Sequence, residues 1–246
     1  MHGATLLFSF AHPDDESFWG AGIAMKYAAA GARTVLVCAT RGERGTTGDP
    51  PLCAVEDLGA CREQELRDAA AIIGFDELHV LDYRDRELSD APVDGIRLTL
   101  VALIRRLRPA AVLTFDPEGG NRHPDHMAVS RFTTDAIAAA SDPRWCPELG
   151  AAFSVPRLLW TAPIPPWDAA RLDRLDDTPG VDFAIDVSAW SDRRAAALRA
   201  HRTQRAGIDR LFFHGRDTNR ILGLELWRQG HGPSLPARPL GELPTD

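Results

Sequence analysis

The sequence predicts an α/β fold in which a mostly parallel sheet is flanked by helices, Rossmann-like in arrangement and built as a single domain. Three observations lead there. Short apolar runs rich in β-branched residues alternate with helix-length amphipathic segments, the pattern of successive βαβ units. The chain has 246 residues, ample for one core and cramped for two. No linker, fixed-period repeat or low-complexity segment breaks the alternation, so the domain is expected to span residues 1–246.

Taken in order, residues 4–10 read as a buried first strand, and residues 16–30 as a helix stopped by Gly31. Thr34–Ala39 (TVLVCA) is a second strand. Residues 41–59, with several glycines and the Pro50-Pro51 pair, form a long loop of the kind that often carries function. A helix over 61–73 closed by Gly74 leads to a third strand at 78–81. Ile96, Leu100, Leu103, Ile104 and Leu107 share one face of a helix over 94–107, stopped before Pro109. A fourth strand follows at 110–115, then a helix over 124–140 with Pro124 in its first turn. Beyond Ser141 the pattern loosens. Strands are expected at 157–161, 183–187 and 221–227, with a helix over 192–206.

Lys plus Arg number 28 against 35 Asp plus Glu, a formal charge of −7, which argues against a generic partner among nucleic acids or anionic membranes. The longest apolar stretches are strand-sized, so no membrane span is expected. The first residues lack a basic segment and turn polar at His12, so no export signal is read and a cytoplasmic location is expected. Cys38, Cys53, Cys61 and Cys146 show no CxxC pairing and are expected to be reduced thiols. Gly20-Ala21-Gly22 has Met25 where a dinucleotide fingerprint needs its third glycine, and no Gly-Lys-Ser/Thr follows any glycine-rich stretch.

Two segments carry the chemistry. Ala11-His12-Pro13-Asp14-Asp15-Glu16 follows strand one, and Asn121-Arg122-His123-Pro124-Asp125-His126 follows strand four. Both lie beyond carboxyl ends of strands, where open α/β sheets place their sites. Two imidazoles and a carboxylate make a three-ligand set for catalytic zinc, leaving a position for water. A spare carboxylate can take a proton from that water, and a spare histidine can stabilise the product of attack. His12, Asp14, Asp15, His123 and His126 supply those five parts. The competing reading is that such residues in βα loops are solvated or cap helices.

His12-Pro13-Asp14-Asp15-Glu16 and His123-Pro124-Asp125-His126 resemble the paired motifs of the LmbE-like (PIG-L) de-N-acetylases, zinc-dependent hydrolases of N-acetylglucosaminyl conjugates. The likeness continues through Thr40-Arg41-Gly42-Glu43, Arg62-x-x-Glu65-Leu66, Tyr83-Arg84-Asp85 and His201-x-Thr203-Gln204, in the family's order. The resemblance implies that His12, Asp15 and His126 bind Zn2+, with Fe2+ as the alternative metal. It makes Asp14 the general base and His123 the group that stabilises the oxyanion and helps protonate the leaving amine. It also implies that Arg62 and Asp85 contact sugar hydroxyls and that Glu43 lies near the same pocket. Asn121 stands where some members have a tyrosine that assists the oxyanion.

The activity expected is metal-dependent N-deacetylation, with a small amino-sugar conjugate as partner and homo-oligomerisation left open. Two rivals remain at this stage: an amidase cleaving a larger N-acyl group from a thiol-sugar conjugate, and a non-catalytic sugar-binding module. Substrate choice is expected to lie in the loops 41–59 and 143–177.

Overall fold

The computed structural model describes residues 2–168, 179–214, 217–235 and 239–244, so residues 169–177 of the second expected loop lie outside the described residues. The first half is a regular βαβ run: β1 (Thr5–Phe10), α1 (Ala21–Ala29), β2 (Arg33–Thr40), α2 (Leu58–Ile73), β3 (Glu77–Tyr83), α3 (Val93–Leu107) and β4 (Ala111–Thr114). A short turn of helix, α4 (Gly119–Arg122), then leads into α5 (Pro124–Ser141) and β5 (Leu158–Thr161). The second half holds β6 (Phe183–Asp186), α6 (Ser191–Ala200), α7 (Arg205–Ile208), α8 (Thr218–Gly223) and β7 (Leu224–His231).

The seven strands form one sheet in the order β3-β2-β1-β4-β5-β7-β6. β1 pairs in parallel with β2 on one side, from Thr5↔Arg33 to Phe10↔Cys38, and with β4 on the other, from Leu6↔Ala111 to Phe8↔Leu113. β7 is antiparallel to both β5 and β6, which is what makes the sheet mixed. Chain order runs outward from β1 to β3 and then crosses back to β4. The β1/β4 boundary is thus the topological switch point, where connections diverge and leave a crevice at the carboxyl edge.

The central strands explain why this frame is rigid. Leu6, Leu7, Phe8, Val35, Leu36, Val112 and Leu113 are each at 0% exposure, buried by helices on both faces, as a parallel sheet requires. Three buried charges then tie helices to their neighbours. The Glu225 carboxylate on β7 accepts the N–H groups of Gly22 and Ile23 at 2.7 and 2.9 Å, satisfying donors at the start of α1. Arg194, at 0% exposure, lies 3.5 Å from Glu225 and donates to the Phe18 carbonyl at 2.9 Å. Arg105 spends its guanidinium on the carbonyls of Ala139, Ala140, Asp142, Trp145 and Cys146, closing the carboxyl end of α5.

Several expected boundaries are corrected. Residues 16–20 form a wider π turn ahead of α1, with Ser17 and Phe18 N–H groups both at 3.0 Å from the Asp14 carbonyl. Residues 58–59 of the expected loop belong to α2, and residues 55–57 form a 3₁₀ turn. The helix expected over 192–206 breaks at His201, where ψ is 66°. Residues 221–223 end a helix, and the final strand begins at Leu224 and runs to His231. Ile221 and Leu222 are buried in a side cluster with Leu198, Ile208 and Phe212, so tertiary packing overrides their strand propensity.

Leu7 faces the core between two parallel neighbours. Leu7→Ala is expected to lower the free energy of unfolding by about 2–5 kcal/mol in a urea titration; a loss below about 1 kcal/mol would contradict this placement of the core.

Candidate active site

Four connections meet at the carboxyl edge. The turn after β1 carries His12, Asp14 and Asp15; the loop after β2 carries Glu43 and Arg44; the segment after β3 carries Asp85; and α4 with the start of α5 carries His123, Asp125 and His126. The chain must turn sharply to do this. Gly119 has φ +73° and places its carbonyl 3.0 Å from His126 Nδ1, while a Cβ there would lie 2.9 Å from the Cβ of His126.

His12 is buried at the centre. Its Nδ1 lies 3.2 Å from His126 Nε2 and 3.4 Å from Asp15 Oδ2, and His126 Nε2 is 3.3 Å from Asp15 Oδ1. On the opposite side of the ring, His12 Nε2 is 3.0 Å from Asp125 Oδ2 and 3.1 Å from Asp85 Oδ1. These contacts decide both tautomers. The His126 Nδ1–H donates to the Gly119 carbonyl, which leaves the Nε2 lone pair facing Asp15 and His12. The His12 Nε2–H donates to the carboxylates of Asp125 and Asp85, which leaves Nδ1 facing His126. His12 Nδ1, His126 Nε2 and the Asp15 carboxylate therefore converge. The two imidazole nitrogens lie 3.2 Å apart, close to the edge, about 3.3–3.4 Å, of a tetrahedron with bonds of about 2.0–2.1 Å to a central ion, and each faces a different oxygen of Asp15, at 3.4 and 3.3 Å.

Electrostatics favour positive charge at this point. Burial pulls the His12 imidazole down, but hydrogen bonds to Asp125, Asp15 and Asp85 hold it well above its ordinary value. Burial would raise Asp15, yet the charges and hydrogen bonds of His126 and His12 keep it far below the usual carboxylate range. Asp14 behaves differently. Burial pushes it up to about 6, with the Arg62 charge opposing the rise and that of Asp15 adding to it. His123 is held below its ordinary value by burial and by His12 and His126. Its Nδ1 accepts the Asp125 backbone N–H at 3.2 Å, so its proton sits on Nε2. The His123 ring stands 4.8 Å from that of His12 and 4.9 Å from that of His126, between centroids.

The remaining residues expected at the site are placed as follows. Arg62, 4% exposed, donates to Asp14 Oδ2 at 2.9 Å, to the Gly42 carbonyl at 2.8 Å and to the Pro13 carbonyl. Asp85 accepts the Arg44 N–H at 3.1 Å, and Glu43 accepts the Asp85 N–H at 2.9 Å, so these two acids lock the loops after β2 and β3 together. Asn121 is exposed, and its side-chain oxygen accepts the His123 N–H at 3.1 Å. Two features lie outside the site residues that the sequence reading named. Asp125 is fully buried and accepts the N–H groups of Arg86 and Leu88 as well as the His12 ring. Glu16 and His201 form a buried pair 2.7 Å apart beneath Asp14. Two further sets of donors, His12 with Asp85 and Asp125 and His12 with His123 and His126, are also close enough together to surround a cation.

This geometry can be set beside known proteins. A family model described as PIG-L, GlcNAc-PI de-N-acetylase, matches residues 7–137. The chain belongs to the PIG-L family. Among its relatives, the 1D-myo-inositol 2-acetamido-2-deoxy-α-D-glucopyranoside deacetylase of Mycolicibacterium vanbaalenii is 35% identical, over 83% of this chain and 82% of that protein. The conserved protein TT1542 from Thermus thermophilus superposes with a TM-score of 0.70 at 28% identity, covering 98% of each chain. N,N′-diacetylchitobiose deacetylase from Pyrococcus horikoshii shares the fold, with a TM-score of 0.71 at 21% identity over 92% of this chain and 83% of that one. The chain is accordingly a deacetylase of the PIG-L family, an enzyme that hydrolyses amide C–N bonds. Among the described residues no helix is long and apolar enough to cross a membrane.

The Gly119 carbonyl orients His126 and tolerates no side chain beside it. Gly119→Ala is expected to weaken divalent-metal binding by about 10- to 100-fold when chelator-stripped protein is titrated. Unchanged affinity would show that the carbonyl does not orient that ring.

Proposed function

We propose that this PIG-L family member removes the acetyl group from an N-acetylglucosaminyl conjugate, with zinc held by His12 Nδ1, Asp15 and His126 Nε2. The observation that carries the reading is the convergence of His12 Nδ1, His126 Nε2 and the two oxygens of Asp15 at contacts of 3.2–3.4 Å, with Asp14 and His123 beside them. Of the three donor sets, the one with Asp15 is preferred: in the second, His12 Nε2 carries the proton given to Asp85 and Asp125, and in the third, His123 spends Nδ1 on the Asp125 N–H and carries its proton on Nε2. Asp85 and Asp125 support the ligand His12 as carboxylates commonly support metal-bound imidazoles. The substrate class is supported by the family description and by the name of the Mycolicibacterium relative.

Zinc bound there supplies a Lewis acid for the acetamide carbonyl and lowers the pKa of its water. The protein residues do the rest. Asp14, raised toward neutrality by burial, accepts a proton from the attacking water, and Arg62 fixes the carboxylate that receives it. The His123 Nε2–H donates to the oxyanion that develops on the former carbonyl. Because His123 is kept neutral with its one proton on Nε2, the proton taken by the leaving amine is the one Asp14 removed from water. Acetate and a free amine result. Arg62 thus acts here through Asp14, with Asp85 and Glu43 acting through His12 and the loops around it.

Asp14→Asn is expected to keep its metal and fold while losing about 100- to 10,000-fold in kcat for N-acetylglucosaminyl-inositol, read as amine release. A near wild-type rate would remove Asp14 as the base. Chelation should abolish turnover and added zinc restore it, and restoration by Fe2+ alone would reassign the metal.

The pH profile gives a separate check. Asp14 works deprotonated, so activity falls as pH drops through about 6. Arg62 pulls that pKa down, so Arg62→Gln should move the acid limb of kcat/KM to higher pH. A limb that stays in place or moves lower would refute the coupling.

A further inference from the structure

Asp14 is the only residue of the His12–Glu16 segment with a left-handed backbone, at φ +113°, a conformation costly for a residue with a Cβ. Something must hold it there. Its carbonyl accepts the N–H groups of Ser17 and Phe18, both at 3.0 Å, and its own N–H donates to Glu16 Oε2 at 3.0 Å. The other oxygen of Glu16 accepts from His201 Nε2 at 2.7 Å and from Ser17 Oγ at 2.5 Å. Glu16 and His201 are 1% and 0% exposed and 185 residues apart in sequence.

Such a pair is a poor device for stability alone. A buried ion pair seldom outperforms apolar packing, and the buried Nδ1 of His201 has no partner among the described residues. What the pair does supply is an oriented acceptor under the Asp14 N–H. The frame around it is shared with the opposite side of Asp14. Glu65 on α2 accepts from the Thr203 N–H and hydroxyl at 2.8 and 2.7 Å, which docks residues 201–203 onto the helix that also carries Arg62. Arg62 holds the Asp14 carboxylate at 2.9 Å.

We propose that Glu16 and His201 are positioning residues for Asp14, His201 fixing the Glu16 carboxylate so that its second oxygen clamps the Asp14 backbone N–H. The inference rests on Asp14 being the base. It predicts an effect on turnover and not on substrate or metal affinity, because among the described residues the side chains of Glu16 and His201 bond to the Asp14 N–H, to Ser17 and to each other, and not to His12 or His126 or to the carboxylate of Asp15.

The test is a double-mutant cycle on zinc-loaded full-length protein, with N-acetylglucosaminyl-inositol as substrate. His201→Leu should lower kcat by about 10- to 100-fold, with KM and zinc content within about two-fold of wild type. His201→Gln, which keeps an N–H in reach of Glu16, should recover to within about five-fold of wild type. Adding His201→Leu to Asp14→Asn should cost nothing further, since the clamp acts through that carboxylate. Should His201→Leu fail to accumulate folded, Glu16→Gln, which preserves volume, should show the same kcat loss at unchanged KM. Wild-type kcat in His201→Leu or in Glu16→Gln overturns the proposal. So does a loss that multiplies fully with that of Asp14→Asn, which marks a role independent of the base. A wild-type rate in Asp14→Asn alone removes the base assignment first and the clamp with it, a result read without any His201 variant.

Discussion

The buried imidazole of His12 has an acid or another imidazole against each of its nitrogens, and that crowding sets the terms for every loop around it. Asp85 and Asp125 take the proton on Nε2, leaving Nδ1 to face Asp15 and His126. Three carboxylates within 3.4 Å of one ring would repel each other unless positive charge is held among them. The loops after β1, β2, β3 and β4 are therefore coupled electrically as well as sterically. Glu43 on the Asp85 N–H, and Asp125 on the N–H groups of Arg86 and Leu88, extend the same constraint outward by one layer.

That coupling explains why the two carboxylates of the Asp14-Asp15 pair differ so sharply. Asp15 faces two imidazoles and is driven strongly acidic, whereas Asp14, with its φ of +113°, pairs with Arg62 and with no other cation among the described residues. Adjacent residues with the same side chain thus acquire opposite tendencies, one fit to hold a cation and the other to accept a proton near neutral pH. Backbone geometry, not residue type, separates them.

What was legible in the sequence follows from the same physics. The parallel half of the sheet was readable because doubly covered strands must be continuous apolar runs, as at Leu6–Phe8 and Val35–Val37. The placement of His12 and His126 at one rim followed from both motifs succeeding strands. The π turn at Glu16 was not readable, since no side-chain period separates an i→i+5 ladder from the i→i+4 ladder of an α-helix. Nor was the break at His201. Arg202–Gln204 carries no proline or glycine, and the helix stops because His201 turns inward onto Glu16 and Thr203 onto Glu65. The placing of β7 between β5 and β6 likewise depends on long-range pairing that no local pattern encodes. Roles that act through another residue, such as Asp125 on His12, leave no spacing signal of their own.

The sequence reading set capping and chemistry against each other as rival explanations for a histidine at the start of a helix, and His123 shows that the two are one act. As N-cap of α5 it accepts the Asp125 N–H on Nδ1, meeting a donor that the first helical turn cannot satisfy. The same bond removes the choice of tautomer and commits the ring's proton to Nε2. The helix begins there because Pro124 follows, with the extended backbone at His123 that a residue before proline prefers. Asp125 then lies buried in the first turn, its N–H on His123 and its carboxylate on His12. A single helix start thereby orients both His123 and the His12 ring at the centre of the site, so a change that frayed this turn would disturb both together.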